Sequence, residues 1–384
     1  MASPIPTNPN DSPEAETGGF HVSMRDIARA AGVSVSAVSL AFKNSPKISP
    51  ERRADLIALA QKMGYQRDPR ITELMEHLRS ARPQRAISRI AVVIPELTRE
   101  QLAHYPPILG LIDGIQSIAT VAGFGVEFFY LADPGMTLRR IRSILLARGI
   151  KGVVLAPCAS GVARLNPDCT GLCVATAGYS IVEPRLHRAC PNYLQMMDEL
   201  LADCTAKGYR RIGLVMTYGE GGIGHKLFTS AFLYYQSKID PAQRIPVLPK
   251  PMINPETMAE WFRNHRPDVI ISAGAVSAML TSIGLRVPGD VAFANIDVSE
   301  PPTDSAGADH RYKLVGVEAL KLVLSLLNLN ITGIPDNPKV VLVDSHQREG
   351  YTLPPKDGAA SASRRHKKPH TPKPSVPLFR GFLD

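Results

Sequence analysis

Short apolar runs recur along most of the chain, at Ile90–Ile94, Gly125–Leu131, Gly152–Ala156, Leu172–Ala175, Ile212–Met216, Val269–Ser272, Val291–Ile296 and Val340–Val343. Amphipathic stretches with helical spacing separate them, among them Ile108–Ala122, Leu138–Ala147, Tyr193–Ala206 and Lys313–Leu327. Apolar strands alternating with such helices predict parallel sheets covered on both faces. About 260 residues of this pattern exceed one ordinary sheet, so an α/β core of two doubly wound parallel-sheet lobes is expected over residues 88–353. The lobes are expected to divide near Ile181, with the Lys313 helix returning to the first. Residues 1–21 and 354–384 carry no such pattern and are rich in Pro, Ser and charge, so both read as disordered ends.

Ahead of the core the periodicity is purely helical. Ser23-Met24-Arg25-Asp26 has capping-box spacing, which predicts a helix from Met24. Gly32-Val33-Ser34 then breaks it, since Gly takes the positive φ of a tight turn. Ser34 is placed to cap a second helix over Val35–Phe42, in which Val38, Ala41 and Phe42 share one face and Val35, Ser36, Ser39 and Leu40 the other. Ser49, with Pro50 at the first position, starts a third helix that ends at Gly64. Two short helices joined by a Gly turn, with a third packed on them, describe a small all-α helix-turn-helix head over residues 22–67.

The residues Asp26, Ile27, Ala28, Ala31, Gly32, Val33, Ser34, Val38, Ser39, Gly64, Tyr65 and Pro69 carry a resemblance. The segment from Val22 to Pro69 resembles the DNA-binding head of the lac/gal repressor family, and the α/β pattern behind it resembles that family's periplasmic-binding-protein-like core. The resemblance implies a dimeric regulator of transcription that binds palindromic operator DNA. It implies base contacts from Val35, Ser36 and Leu40, and phosphate contacts from Ser23, Ser39 and Asn44, with Ser34 a further DNA-binding candidate. Family members usually carry Arg where this chain has Leu40. Leucine offers only apolar contact, for instance to a thymine methyl, although a branch of the family with VSLAL here is similar. Residues 68–87, with Arg70–Arg79, resemble the hinge helix, in which Leu74 would wedge into the minor groove beside Ile71. The same stretch also reads as a plain linker helix that packs Ile71, Leu74 and Leu78 on the core.

Val287–Asp297, VPGDVAFANID, resembles the family segment whose last Asp binds effector hydroxyls, which assigns that role to Asp297. An ionised carboxylate suits a carbohydrate, because it accepts from two hydroxyl donors at once. Tyr105 is a further candidate, in the loop after the first core strand. Where the family places a sugar-gripping Arg, this chain has Phe228, with His225 and Lys226 as the candidate substitutes.

Charge sharpens this picture. The chain has 44 Lys and Arg against 35 Asp and Glu, a net charge of +9. Residues 22–82 hold +5 and the tail from Pro354 another +5, which leaves the long central region nearly balanced. Basicity gathered at a short helical module points to a polyanion partner. No apolar run is long enough to span a membrane, and the start lacks the basic and apolar regions of a secretory signal. The five cysteines are an odd number without paired metal spacing, so they read as reduced cytoplasmic thiols and no metal or cofactor is expected. A competing class remains: Gly219–Gly224 contains GxGxxG after a strand, with Asp240 about 20 residues on, the pattern of a nucleotide-dependent Rossmann-type enzyme. No nucleophile–base pair accompanies it, and an effector-controlled regulator, expected to repress, is the favoured reading.

Overall fold

The computed structural model describes residues 22, 24–42, 44–65, 88–159, 161–216, 222–249, 253–299 and 304–356. The expected arm (1–21), hinge helix and linker (68–87) and most of the tail lie outside them. The chain divides into a small N-terminal unit and a large one.

In the small unit, α1 (Met24–Ala30), α2 (Val35–Phe42) and α3 (Pro50–Lys62) stand where the sequence places them. Local signals mark four of the boundaries. Gly32 turns the chain with φ +63°. Ser34 Oγ accepts from Ala37 N at 3.1 Å, and Ser49 Oγ accepts from Arg52 N at 3.3 Å. At the end of α3, Gly64 has φ +74°, and Tyr65 N donates to Ala60 O at 2.9 Å, closing the helix with a Schellman-type turn. The core is small: Ile27, Ala28, Val38, Ala41, Leu56 and Ala60 are buried, with Phe42 and Tyr65 packed ring to ring on its edge.

The large unit holds two six-stranded sheets. The first joins β1 (Arg89–Ile94), β2 (Gly125–Tyr130), β3 (Gly152–Leu155), β5 (Cys173–Ala177), β7 (His187–Pro191) and β13 (Val340–Val343), in the order β13-β7-β5-β3-β1-β2, all parallel. A small ribbon of β4 (Ala163–Arg164) and β6 (Ile181–Glu183) flanks it. The second joins β8 (Ile212–Met216), β9 (Leu248–Pro249), β10 (Val269–Ser272), β11 (Ala292–Asn295), β12 (Gly307–Asp309) and β14 (His346–Arg348), in the order β14-β12-β11-β10-β8-β9. Here β14 runs antiparallel to β12, a departure from the all-parallel expectation at one edge.

Helices cover both faces of each sheet. Following a single turn, α4 (Arg99–Leu102), the first lobe is closed by α5 (Pro106–Val121) on one face and α6 (Leu138–Ala147) on the other. The second is closed by α7 (Tyr193–Ala206) and α8 (Ile223–Lys238) on one face, and by α9 (Pro255–His265) and α10 (Gly274–Ser282) on the other. The last helix, α11 (Tyr312–Leu329), returns to the first lobe as expected. It lies so close to α5 that a Cβ at Gly316 would strike the carbonyl of Leu111, and one at Gly114 the carbonyl of Lys313.

The lobes divide at Asn192, not near Ile181. Ile181 belongs to the ribbon of the first lobe, and β7 adds a further strand to its sheet before α7 crosses over. The chain crosses again between Asp309 and Tyr312, and once more between Val343 and His346. The second lobe also reaches past residue 353: Tyr209 donates to Pro354 O at 2.6 Å and Lys356 pairs with Asp268 at 2.7 Å. No helix among the described residues is long and apolar enough to cross a membrane.

Candidate functional site

In the head, α2 presents the face that the sequence assigns to DNA. Val38 and Ala41 are buried, whereas Ser34, Val35 and Ser36 are exposed, Val35 at 42%. Ser39 and Leu40 are half-buried on the flank, and Asn44 is exposed just beyond the helix. The first turn of α2 carries no acidic residue, so nothing there repels a phosphate. Arg25, Arg29, Lys47 and Arg52 are exposed elsewhere on the same small unit. Ser23, Ile71 and Leu74 lie outside the described residues.

In the core, the candidates sit at the carboxyl ends of parallel strands, where α/β sheets present their loops to ligands. Asp297 follows β11 and is only 3% exposed. Its backbone N donates to Asn295 Oδ1 at 3.1 Å, and Asn295 is in turn held by Ser305 at 3.1 Å. Its Oδ1 accepts from Ser299 N at 3.0 Å and from Ser299 Oγ; its Oδ2 accepts from the Tyr312 hydroxyl at 2.7 Å. His310, fully buried, lies 3.7 Å from the same oxygen.

Phe228 is also fully buried, on α8, with its ring 4.8 Å from that of Tyr193. Tyr193 is the hub of an aromatic cluster that joins both lobes: Tyr179 stands at 5.7 Å, His310 at 5.5 Å, and Tyr312 lies 5.2 Å beyond His310. Burial drives the Tyr193 phenol far above its ordinary range, with smaller contributions from Cys190, Asp297, Tyr179 and Tyr105. Tyr179 is pushed up to about 12, again chiefly by burial. Tyr105, half-buried ahead of α5, packs on the first lobe's core. The structure thus gathers Asp297, Phe228 and Tyr105 around Tyr193. His225, half-buried, and Lys226, exposed, sit on the first turn of α8.

Sequence reasoning missed Tyr179, Tyr193, His310, Tyr312 and Ser299. Tyr193 and His310 follow β7 and β12, two strands without an apolar run, so nothing marked those positions as strand ends.

The nucleotide-site alternative fares poorly. Gly219–Gly221 lie outside the described residues, but Gly222 caps the start of α8 and Asp240 lies past its far end, about 24 Å of helix away. There Asp240 caps a 3₁₀ turn, accepting from Ala242 N at 2.9 Å. An acid that anchors a ribose would stand beside the glycine loop. Among the described residues no group of three or more His, Cys, Asp or Glu side chains comes together to hold a metal.

Residues 23–68 match the lacI family of bacterial regulatory proteins. The head is a lacI-family domain. No curated protein sequence matches the chain. Solved structures do. The transcriptional regulator CelR in complex with cellobiose is 18% identical, over 86% of this chain and 100% of that one, with a TM-score of 0.51. A putative LacI-family regulator from Rhizobium etli is 16% identical over 69% and 99%, with a TM-score of 0.52. The Lac repressor bound to ONPG in its repressed state is 16% identical over 86% and 99%, with a TM-score of 0.50. At such identities the likeness carries the fold: behind its lacI-family head the chain has the two-lobed core of these regulators.

Proposed function

We propose that this protein regulates transcription by binding palindromic operator DNA as a homodimer through its lacI-family head, and that a small carbohydrate held between the lobes controls it. The observation that carries the reading is the family match over residues 23–68 together with the exposed face of α2, Ser34, Val35 and Ser36. Val35, Ser36 and Leu40 read bases; Ser23, Ser39 and Asn44 hold phosphates, with Ser34 beside them at the DNA; Leu74 wedges into the minor groove beside Ile71. The protein acts as a cytoplasmic repressor and performs no catalysis.

For the effector, Asp297 and the aromatic wall of Tyr105, Tyr193 and Phe228 support a ligand with hydroxyls on its edge and an apolar face, as a sugar ring has. His225 and Lys226, on the first turn of α8, are further effector contacts. The buried Phe228 disfavours a strongly anionic effector, because it offers no charge to meet one. Effector binding shifts operator affinity by differing in strength between two lobe arrangements.

Selection from random DNA with the full chain tests the reading. A palindrome bound by two chains, with affinity falling steeply with salt, is the expected result. Leu40→Arg should return a different preferred sequence, whereas an unchanged site would remove Leu40 from base readout. Thermal shift against cellobiose, other mono- and disaccharides and NAD(P) tests the rest. Saturable binding of NAD(P), with none of a sugar, would favour the enzyme reading instead.

A further inference from the structure

Most of the accepting capacity of Asp297 is already used within the chain. A carboxylate accepts about four hydrogen bonds. Ser299 fills the Oδ1 side twice, and the Tyr312 hydroxyl, at 2.7 Å, fills Oδ2. Tyr312 is well placed to be more than a filler. It opens α11 at the crossing from the second lobe to the first, and its ring packs against the first lobe's core. Its Cβ sits so close to α5 that a methyl on Gly110 would stand 3.0 Å away. The body of the side chain therefore belongs to one lobe and its hydroxyl to the acid of the other.

His310 meets the Tyr312 hydroxyl from its other side. His310 Nε2 lies 2.6 Å from Ile296 O and must carry a hydrogen to bond a carbonyl. His310 Nδ1 lies 2.8 Å from the Tyr312 oxygen, which also contacts Asp297. The Tyr312 hydroxyl thus stands between His310 and Asp297, held from both sides.

We propose that Tyr312 is the internal occupant of the effector's acceptor site and a determinant of its specificity: an effector hydroxyl takes the place of the Tyr312 hydroxyl at Asp297 Oδ2. This rests on the reading of Asp297 as the effector's anchor. The exchange is like for like, a hydroxyl for a hydroxyl, so the site selects ligands that present hydroxyls, as polyols do. Each binding event also removes a bond between the lobes and frees the start of α11.

The test uses the full-length chain and Tyr312→Phe, which removes only the hydroxyl. Without any ligand, hydrogen–deuterium exchange at the Asp297–Ser299 amides and at residues 310–313 should rise at least about tenfold, while β1 and β8 stay protected. Unchanged exchange overturns the bond as a tie between lobes. In calorimetric titrations with cellobiose, glucose and glucosamine, a sugar that binds the parent chain should bind Tyr312→Phe about tenfold tighter, the worth of one competing hydrogen bond. Equal or weaker sugar binding by the variant overturns the occupant role while leaving the carbohydrate reading intact. If no sugar binds either protein, the carbohydrate reading and the occupant role fall together. His310→Gln takes away Tyr312's second partner and leaves its hydroxyl. It should move both measurements the same way by about threefold, and it decides the matter should Tyr312→Phe fold poorly.

Discussion

The head and the core are held together by different kinds of information. In the head the causes of the boundaries lie within four or five residues where they are described: Ser34 and Ser49 cap helices, Gly32 and Gly64 turn the chain. Its six buried side chains include three alanines, so little apolar area supports it. The two lobes bury four extensive clusters, but their elements depend on partners far away in the chain. The edge strand β13, for example, pairs with β7 about 150 residues earlier. A fold set by neighbours is marginal and readable; a fold set by distant partners is robust, and only its class is readable.

The contrast can be broken most sharply at Leu56, buried in the head. Leu56→Ala should cost about 2–5 kcal/mol, comparable to the whole stability of so small a domain. Operator binding, followed by fluorescence anisotropy, should be lost while the calorimetric transition of the lobes stays put. A lobe transition that falls as well would mean that the two regions do not unfold separately. A smaller effect in the other direction comes from Gly316→Ala. The added Cβ meets the Leu111 carbonyl of the facing helix, and forcing the helices apart should cost about 1–3 kcal/mol. The lobes should then melt earlier, with intrinsic affinity of the head for DNA unchanged. Ser49→Ala removes the cap of α3 and should cost about 1 kcal/mol, visible as a lower midpoint for the head alone.

The smallest effect near neutral pH comes from the thiols, all of which lie in the core. Burial pushes Cys158 and Cys190 up to about 12, and Cys169 and Cys173 up to about 11, from an ordinary 9.0. The unfolded chain loses these protons first as pH rises, so their contribution is whole below pH 9 and declines above it. Denaturant titrations of the lobes at pH 8 and pH 10 should show the loss, and a thiol reagent at pH 8 should label the chain only once it is unfolded. Labelling of the native protein would contradict the burial.

How much was legible follows the same divide. The helices of the head stand at their predicted positions, because caps and turn glycines are written in adjacent letters. All eight apolar runs became strands. The missed ones are instructive. In β7, HRACP, His187 accepts from Lys339 N at 2.9 Å, and Arg188 donates to the carbonyls of Gly178 and Ile181 at 3.3 and 3.0 Å. These polar side chains are satisfied by the backbone of other segments, so a buried strand looks exposed in the sequence. Losing β7 displaced the expected lobe boundary and hid Tyr193. Asp297 and Phe228 became candidates through the family resemblance, whereas Tyr312 and His310 acquire meaning only from the distance to Asp297.

The threefold crossing between the lobes has a consequence for synthesis. The head is complete once Tyr65 has been made. The first lobe begins at Arg89 but needs α11 and β13, and β13 ends at Val343, after nearly all of the second lobe. At about 5–20 residues per second, that is roughly 15 to 55 seconds later. Throughout this interval the nascent chain carries a foldable DNA-binding domain ahead of a first lobe whose sheet edge at β7 and helix-covered face still wait for their last pieces. The order of events on the ribosome is therefore set by topology: the region that touches DNA can mature first, and the region that would control it matures last.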